Sequence, residues 1–247
     1  MIKTSTHNNQ TCIFDDSDHS YRIRETGKRL TSVTSVIKRY TPPFDAPAMA
    51  QKMVDKKNPQ YIGMCALEII HQWEKKAELA SFEGTELHSL LERWPEKGCW
   101  GWHPKTYRLL MMSKQVDKLF PKLLARFRIV EAEKIVFSAR LGLAGQVDLL
   151  MSDPETNEIV LIDWKSNSKI TDSESSFGNM LPPIEHLTDA DTVKYSLQLA
   201  LYEKILVDEG FYPEFSGYRK SIIHIKETLG KVVKVENYEK EIELLTL

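Results

Sequence analysis

The sequence predicts a mixed α/β domain in which a mostly antiparallel sheet is flanked by helices. Three observations indicate this class. Helical spacing of apolar residues prevails over 46–128, short segments rich in Val, Ile and Leu begin near residue 130, and a further helical segment runs from about Asp191 to Val207. This order does not match the regular β–α alternation that is typical of a parallel sheet.

Residues 1–45 are expected to form a β lead-in. Two short apolar segments flank the polar turn DDSD, and the segment LTSVTSVI that follows Gly27 has the composition of a strand. Pro42 and Pro43 end this part of the chain, because proline supplies no backbone N–H to a sheet.

Residues 46–128 are expected to form a helical region with a break at Pro59 and Gly63. Pro95, Gly98 and Gly101 should close the first helical section, and Pro121 should interrupt the helical pattern that resumes over 104–128. We expect this region to pack on an α/β core formed by residues 130–247, so that 1–247 is a single domain.

The predicted core contains strands over 130–151 and 158–164, separated by the turn SDPETN. The polar stretch 166–191 is longer than an ordinary loop, which indicates a functional or mobile segment. A capping-box-like pair, Thr188 and Asp191, should begin the next helix, and Gly210 should end it. The strands SGYRKSIIHI and KVVKVENY and a terminal helical piece complete the chain.

Composition excludes several classes of protein. The 247 residues carry 33 Lys and Arg against 35 Asp and Glu, so binding of nucleic acid through bulk charge is excluded and a local basic groove is not. The three cysteines are far apart, which argues against a disulfide scaffold, a zinc finger and an iron–sulfur cluster. There is no apolar run of roughly 18 residues and no signal-peptide pattern, so we expect an intracellular, cytoplasmic protein without membrane contact.

The most informative feature is a pair of aspartates in the hairpin LGLAGQVDLLMSDPETNEIVLIDWKSN. If the turn centres between Glu155 and Thr156, Asp148 lies directly opposite Asp163, with Cβ atoms about 5 Å apart. Lys165 then projects from the same face as Asp163. Two opposed buried carboxylates repel each other unless a cation lies between them, and Mg²⁺ is suited to such oxygen ligands.

A lysine beside a metal ion can orient or deprotonate a water molecule and offset charge that develops on a phosphate. The alternative is structural: Asp163 and Lys165 form an edge salt bridge, and Asp148 is an isolated acid near the turn. The register decides between the two, because a slip of one residue sends the aspartates to opposite faces.

Further polar residues could face the same site. His88 lies at the margin of an apolar helical stripe, one turn from Thr85. A lone histidine at such a position is more often packed or solvated. Beside the hairpin, however, it is a candidate nitrogen ligand, which would favour Mn²⁺ alongside Mg²⁺. Gln198 and Tyr202 share one helical face and could bind a phosphate or a base, unless they are core residues. Either Glu131 or Glu133 could join the metal site, or both could be solvated.

A series of basic residues recurs every four positions on the predicted helix before residue 128. It includes Lys114 and Lys118 and continues with Lys122 and Arg126. Such a ridge could follow a phosphate backbone, although a charged stripe is usually a solvated helix face.

Five motifs in order resemble the RecB-like branch of the PD-(D/E)XK nucleases: GT-x-x-H at Gly84, Thr85 and His88, a glutamate before a strand, G-x-x-D, D-x-K and Q-x-x-x-Y. The segments LIDWKSNSK and YSLQLALY are similar to those of the mitochondrial genome-maintenance exonuclease and of RecB-like nucleases of phages and large viruses. The resemblance spans roughly residues 20–230.

The resemblance implies a restriction-endonuclease-like core and a site that binds Mg²⁺ or Mn²⁺. It implies that the metal ligands are His88, Asp148, Asp163 and the main-chain carbonyl of Trp164. The catalytic set would comprise Lys165 with the acidic residues Asp148, Asp163 and Glu133. Gln198 and Tyr202 would position the DNA strand, and Thr85 of the first motif is a further candidate substrate contact. The basic ridge adds Lys114 and Lys118 as candidate contacts, from their spacing alone. The chain departs from the pattern in two places: it lacks the cysteines of members with an iron–sulfur cluster, and Val147 replaces the proline before Asp148.

The sequence therefore predicts a divalent-metal-dependent deoxyribonuclease, specifically an exonuclease of DNA replication, recombination or repair, which could work with partner proteins of those processes. Its DNA would be single-stranded or have free ends. One alternative is a flap or junction endonuclease. Another is a catalytically silent DNA-binding module on the same fold, although such a module should have lost Lys165 or an acid. Rossmann, P-loop and HExxH zinc enzymes are disfavoured because none of their motifs occurs.

Overall fold

The computed structural model describes residues 2–176, 178–228 and 230–246. Its chain begins with an antiparallel meander whose strands pair in sequence order: β1 (Ile2–His7), β2 (Gln10–Asp15), β3 (Ser20–Ile23) and β4 (Arg29–Ser32). The predicted β lead-in is therefore present, and β1 is an additional strand that the sequence pattern did not indicate.

The strand predicted over LTSVTSVI is only partly correct, because the chain turns into helix α1 (Val33–Arg39) after β4. The side chain of Ser32 accepts a hydrogen bond from the backbone N–H of Ser35 at 3.1 Å and so caps the new helix. Val33, Val36 and Ile37 are buried. A capping residue followed by apolar residues at helical spacing thus outweighs the β-branched composition of the segment.

The helical region has the predicted break. Helix α2 (Ala46–Asp55) is followed by a single 3-10 turn at Pro59–Tyr61, and then by the long helix α3 (Ala66–Lys97) and by α4 (Tyr107–Arg126). Helix α3 ends within the predicted segment, at Lys97 with Gly98 as its C-cap, although Pro95 itself lies inside the helix. The predicted interruption at Pro121 is wrong, since this proline lies inside α4. Proline removes one backbone hydrogen bond, but the buried apolar stripe of each helix continues up to that position.

The remaining elements follow the predicted order. They are β5 (Arg128–Ser138), β6 (Leu143–Asp153), β7 (Glu158–Lys165), α5 (Asp191–Glu209), β8 (Gly217–Ile225), β9 (Gly230–Val233) and α6 (Glu239–Leu245). Gly210 ends α5 in the left-handed conformation, as predicted. The predicted capping box is wrong: Ala190 is the N-cap residue, and Asp191 accepts hydrogen bonds from Thr171 instead.

One mixed sheet connects all the strands in the order β1-β2-β3-β4-β6-β7-β8-β9, with β5 also paired to β6. The pairs β4–β6 and β7–β8 are parallel and the other pairs are antiparallel. The predicted class, a mostly antiparallel sheet flanked by helices, is confirmed. Among the helices of the described residues, none combines the length and apolar character that crossing a bilayer requires.

The two faces of the sheet carry separate cores. Leu161 and Ile222 face α5 and pack in a cluster with Leu197 and other residues of that helix. On the opposite face, Trp164 and its neighbours pack against the buried stripes of α3 and α4. Since side chains alternate along a strand, Asp163 and Lys165 share the α5 face with Leu161.

Candidate active site

The candidate site lies at a gap in the pairing along one edge of β6. Strand β5 pairs with the other edge of β6 along most of its length. On the facing edge, β4 pairs with residues 143 and 144, whereas β7 pairs from residue 149 onward. Among the described residues, positions 145–148 have no ladder partner on this edge, so they are accessible to side chains from other elements.

The β6–β7 hairpin has the predicted register. Leu149 pairs with Ile162, a register in which the numbers of paired residues sum to 311. One step beyond this last pair, the same register places Asp148 opposite Asp163. The backbone N–H of Trp164 donates a hydrogen bond of 2.7 Å to Oδ2 of Asp148, so the aspartate binds the strand end that has lost its ladder partner.

Glu133 reaches the site from β5. The ladder pairs before and after it place Glu133 beside Asp148, and the amide of Gln146 donates a hydrogen bond to its carboxylate. Its φ of 52° lies in the left-handed region, which costs a non-glycine residue about 1–3 kcal/mol. Of the two glutamates that the sequence offered, Glu131 instead contacts Lys134 and Tyr212, at 3.0 and 2.8 Å.

His88 approaches from α3 and completes a possible metal site. Its Nδ1 lies 3.5 Å from Oδ1 of Asp148. One ligand atom from each of His88, Glu133 and Asp148 lies within 4.8 Å of the other two, which is close enough for a single ion to contact all three. One imidazole nitrogen and two carboxylate oxygens form a donor set that fits Mg²⁺ or Mn²⁺.

Asp163 lies next to this group but is held by other partners. Its Oδ2 lies 2.7 Å from the ammonium group of Lys165, and its Oδ1 accepts a hydrogen bond of 3.1 Å from the amide of Gln198. The ring of Tyr195 lies 4.4 Å from the Lys165 ammonium, in a cation–π contact. The predicted D-x-K pair is therefore formed, and Tyr195, one turn before Gln198 on α5, supports its lysine.

Gln198 and Tyr202 connect helix α5 to β6 and β7, the strands that carry Asp148 and Asp163. The amide of Gln198 also donates to the hydroxyl of Tyr202 at 3.2 Å, and both side chains are buried. Gly145 makes this approach possible, since a Cβ at that position would lie 2.4 Å from Cε1 of Tyr202. The glycine and the tyrosine of two separate sequence motifs are thus in direct contact.

The crowding of these charges shifts their pKa values in opposite directions. Burial alone would raise the pKa of Asp148, but His88, Lys165 and the Trp164 N–H hold it below its usual value. Burial raises the pKa of Asp163, and the charge of Asp148 adds to this against the opposing Lys165. One carboxyl is therefore held ionised beside another that is harder to ionise.

Burial and the same neighbouring charges also shift the pKa values of Glu133, His88 and Lys165. Burial and the charge of Asp148 raise the pKa of Glu133 to about 7. For His88, burial favours the neutral ring, but the surrounding carboxylates outweigh it and raise the pKa to about 9. Burial likewise opposes the charged form of Lys165, yet Asp163 and Asp148 raise its pKa, so the lysine stays an ammonium group. In the absence of a metal ion the site therefore holds protons, which a divalent cation could replace.

The site opens into a cleft of about 760 Å³. Besides the residues described above, Thr85 lines the cleft, and so does a wall from the N-terminal meander and α1 that the sequence did not indicate; it contains Lys3, Phe14, His19, Tyr21 and Ser35. These wall residues carry no motif; the pairing of β4 with β6 and the packing of β1 and β2 on β5 bring them to the site.

Other predicted contacts are not brought to the cleft. Lys114 and Lys118 lie on α4, which packs on the face of the sheet opposite to Asp163, and neither residue lines the cleft. Trp164 contributes its backbone N–H to Asp148, while its ring is buried against α4. A contact of the α4 lysines with DNA and a metal contact of the Trp164 carbonyl stay predictions.

The long polar segment after Lys165 is fastened at several described positions. Arg108 of α4 donates to the carbonyl of Ser166 and pairs with the buried Glu83 of α3 at 2.9 Å. The side chain of Asp191 accepts two hydrogen bonds from Thr171. These bonds fix the chain on the C-terminal side of Lys165, and none of the described residues of 166–191 lines the cleft.

Comparison with known proteins agrees with this geometry. The family model described as the PD-(D/E)XK nuclease superfamily matches residues 66–245, which include His88, the hairpin and α5. No curated protein matches the chain. The mixed sheet, the paired aspartates and the D-x-K lysine are thus those of a restriction-endonuclease-like fold, and the chain belongs to the PD-(D/E)XK nuclease superfamily.

Proposed function

We propose that the protein is a divalent-metal-dependent deoxyribonuclease that removes nucleotides from DNA ends during replication, recombination or repair. One observation carries the proposal: Glu133, Asp148 and Asp163 come together from three neighbouring strands, with His88 on one side and Lys165 on the other. Such a group is costly in a protein that does not bind a cation, because the buried carboxylates repel each other.

The chain's own residues divide into a metal-binding side and a phosphate side. His88, Glu133 and Asp148 would hold the ion, with Asp163 and the carbonyl of Trp164 as further proposed ligands. A bound divalent cation supplies Lewis acidity toward the scissile phosphate and stabilises charge on the leaving oxygen. His88 must be neutral to act as a ligand, so binding of the ion releases its proton.

Lys165 acts on the phosphate side as a fixed positive charge. Because Asp163 raises its pKa, the ammonium group is protonated at neutral pH and can donate to a phosphate oxygen or orient a water molecule. It is not suited to accept a proton in this state. Gln198 accepts from Lys165 at 3.4 Å and donates to Asp163, so it holds both groups in position.

The substrate has to be bound locally, since the net charge of the chain is only −2. The walls of the cleft, with Thr85, would contact the backbone around the scissile phosphate. Gln198 and Tyr202 would act on the strand mainly through Asp163 and Lys165, because both are buried behind these residues. Lys114 and Lys118 would contribute only where the DNA extends round the sheet to α4.

The test is a digest of end-labelled linear DNA and of circular DNA, single- and double-stranded, with Mg²⁺ or Mn²⁺. We expect linear substrates to be shortened from their ends, and Asp163→Asn to abolish the reaction while Asp55→Asn, an exposed aspartate of α2, leaves it unchanged. Cleavage of the circles would instead identify an endonuclease. If all four substrates stay intact with both metals, the proposal is wrong, and retained DNA binding would then identify a silent module.

A further inference from the structure

Lys3 holds a position in the cleft that the reaction proposed above does not explain. Its ammonium group lies 3.2 Å from Oε1 of Glu92 on α3 and 3.6 Å from Oε2 of Glu133 on β5. The lysine belongs to β1, outside the segment that the family model matches. The first strand of the chain thus places a cation against one of the three possible metal ligands.

The charges around the site form an ordered series. Lys3 lies beyond Glu133 at one end, Asp148 lies in the middle, and Lys165 lies beyond Asp163 at the other end. Each outer carboxylate of the site therefore has its own ammonium group within 4 Å, whereas Asp148, between them, has the ring of His88. The two lysines flank the space that His88, Glu133 and Asp148 enclose.

Charge balance gives this arrangement a consequence. When ionised, Glu92, Glu133, Asp148 and Asp163 carry four negative charges, and the two lysines cancel half of them. Within this set of paired groups, which leaves out Asp16 and His19 elsewhere on the cleft wall, the remainder equals the charge of one divalent cation, provided that His88 binds as a neutral ligand. Without Lys3, Glu92 and Glu133 would face each other across a space with uncompensated charge, which is the environment that attracts a further hard cation.

We propose that Lys3 takes the place that a second metal ion would otherwise occupy, and that it restricts this cleft to a single divalent cation. In two-metal nucleases, shared carboxylates hold ions roughly 3.5–4 Å apart. Here Glu133 is shared between the metal group and the Lys3 ammonium. The inference rests on the proposed metal site and adds the number of ions and the residue that determines it.

The experiment counts Mn²⁺ ions per chain at pH 8 by equilibrium dialysis, with free Mn²⁺ measured by electron paramagnetic resonance. We expect one ion for the wild type, two for Lys3→Met and one for Lys3→Arg, which keeps the positive charge. Circular dichroism checks folding, and Lys3→Gln replaces Lys3→Met if that variant unfolds.

A second substitution assigns the ligands. In the Lys3→Met chain, adding Glu92→Gln should return the count to one, because Glu92 is freed when Lys3 is removed. The inference is overturned if Lys3→Met still binds one ion, if the wild type binds two, or if the second ion survives Glu92→Gln. A wild type that binds no Mn²⁺ would instead refute the proposed function itself, so the two failures are distinguishable.

Discussion

The metal-free protein should become less stable as the pH rises from about 4.5 to 7, because of Glu133. In the folded chain the pKa of this carboxyl is raised from 4.5 to about 7, so between these values the folded state keeps a proton that the unfolded chain has released. A group of this kind favours the folded state at low pH, and the advantage is lost as the pH rises through the folded pKa.

The magnitude follows from the same interval. From 4.5 to about 7, at about 1.4 kcal/mol per pH unit, the free energy of unfolding should fall by about 3 kcal/mol. The side chain is only 16% exposed, so solvent screens little of this effect. The raised pKa of His88 has the same effect at higher pH. The stability that its protonated ring contributes to the folded state is fully present below pH 6.5 and is lost as the pH rises toward about 9.

The assay is urea unfolding in the presence of a chelator, followed by tryptophan fluorescence, at half-unit steps of pH from 4.5 to 8. Glu133→Gln should remove most of the decline below pH 7. Mg²⁺ at a hundredfold excess over its Kd at pH 8 should stabilise the wild type by about 2.7 kcal/mol at that pH. The same Mg²⁺ concentration should stabilise it less at pH 5, since protons and metal compete for the same ligands. If the wild type and Glu133→Gln lose stability in parallel, the carboxyl at 133 does not hold the proton and the reasoning is wrong.

Three other outcomes are expected. Gly145→Ala should lower the free energy of unfolding by about 1–3 kcal/mol, because the new Cβ would lie 2.4 Å from the Tyr202 ring, and Tyr202→Leu in the same chain should recover part of this loss. Phe120→Ala, a fully buried position of α4, should cost about 3–5 kcal/mol in urea unfolding but leave the Mn²⁺ affinity of the folded protein unchanged. Replacing Lys114 and Lys118 together by Gln tests whether DNA reaches α4. If it does, the slope of log binding constant against log salt concentration should become shallower by up to about two, and an unchanged slope would refute the contact.

The centre of the site could be predicted from sequence because its geometry is local. The turn between β6 and β7 sets the register of the hairpin, so Asp148 and Asp163 are brought together by residues that lie close in the chain. Gln198 and Tyr202 follow from helical spacing. The D-x-K lysine shares a face with its aspartate by strand alternation alone.

The walls of the cleft depend on pairing between distant parts of the chain, which no local pattern indicates. Lys3 and Tyr21 reach the site because β4 joins β6 in parallel, more than a hundred residues further along. The choice between Glu131 and Glu133 depends on the register shift in β5 near residue 130 and on one left-handed residue. The strand predicted through Ile37 rests on β-branched composition, which the Ser32 cap and the buried Val33, Val36 and Ile37 of α1 outweigh.

The position of β1 has a practical consequence for anyone who purifies this enzyme. Lys3 lines the cleft, so residues fused in front of β1 would emerge beside the proposed metal ligands. A polyhistidine tag at that end would place competing imidazoles near Glu133 and would distort titrations with Mn²⁺. An affinity tag belongs at the other terminus, after α6, whose residues do not line the cleft.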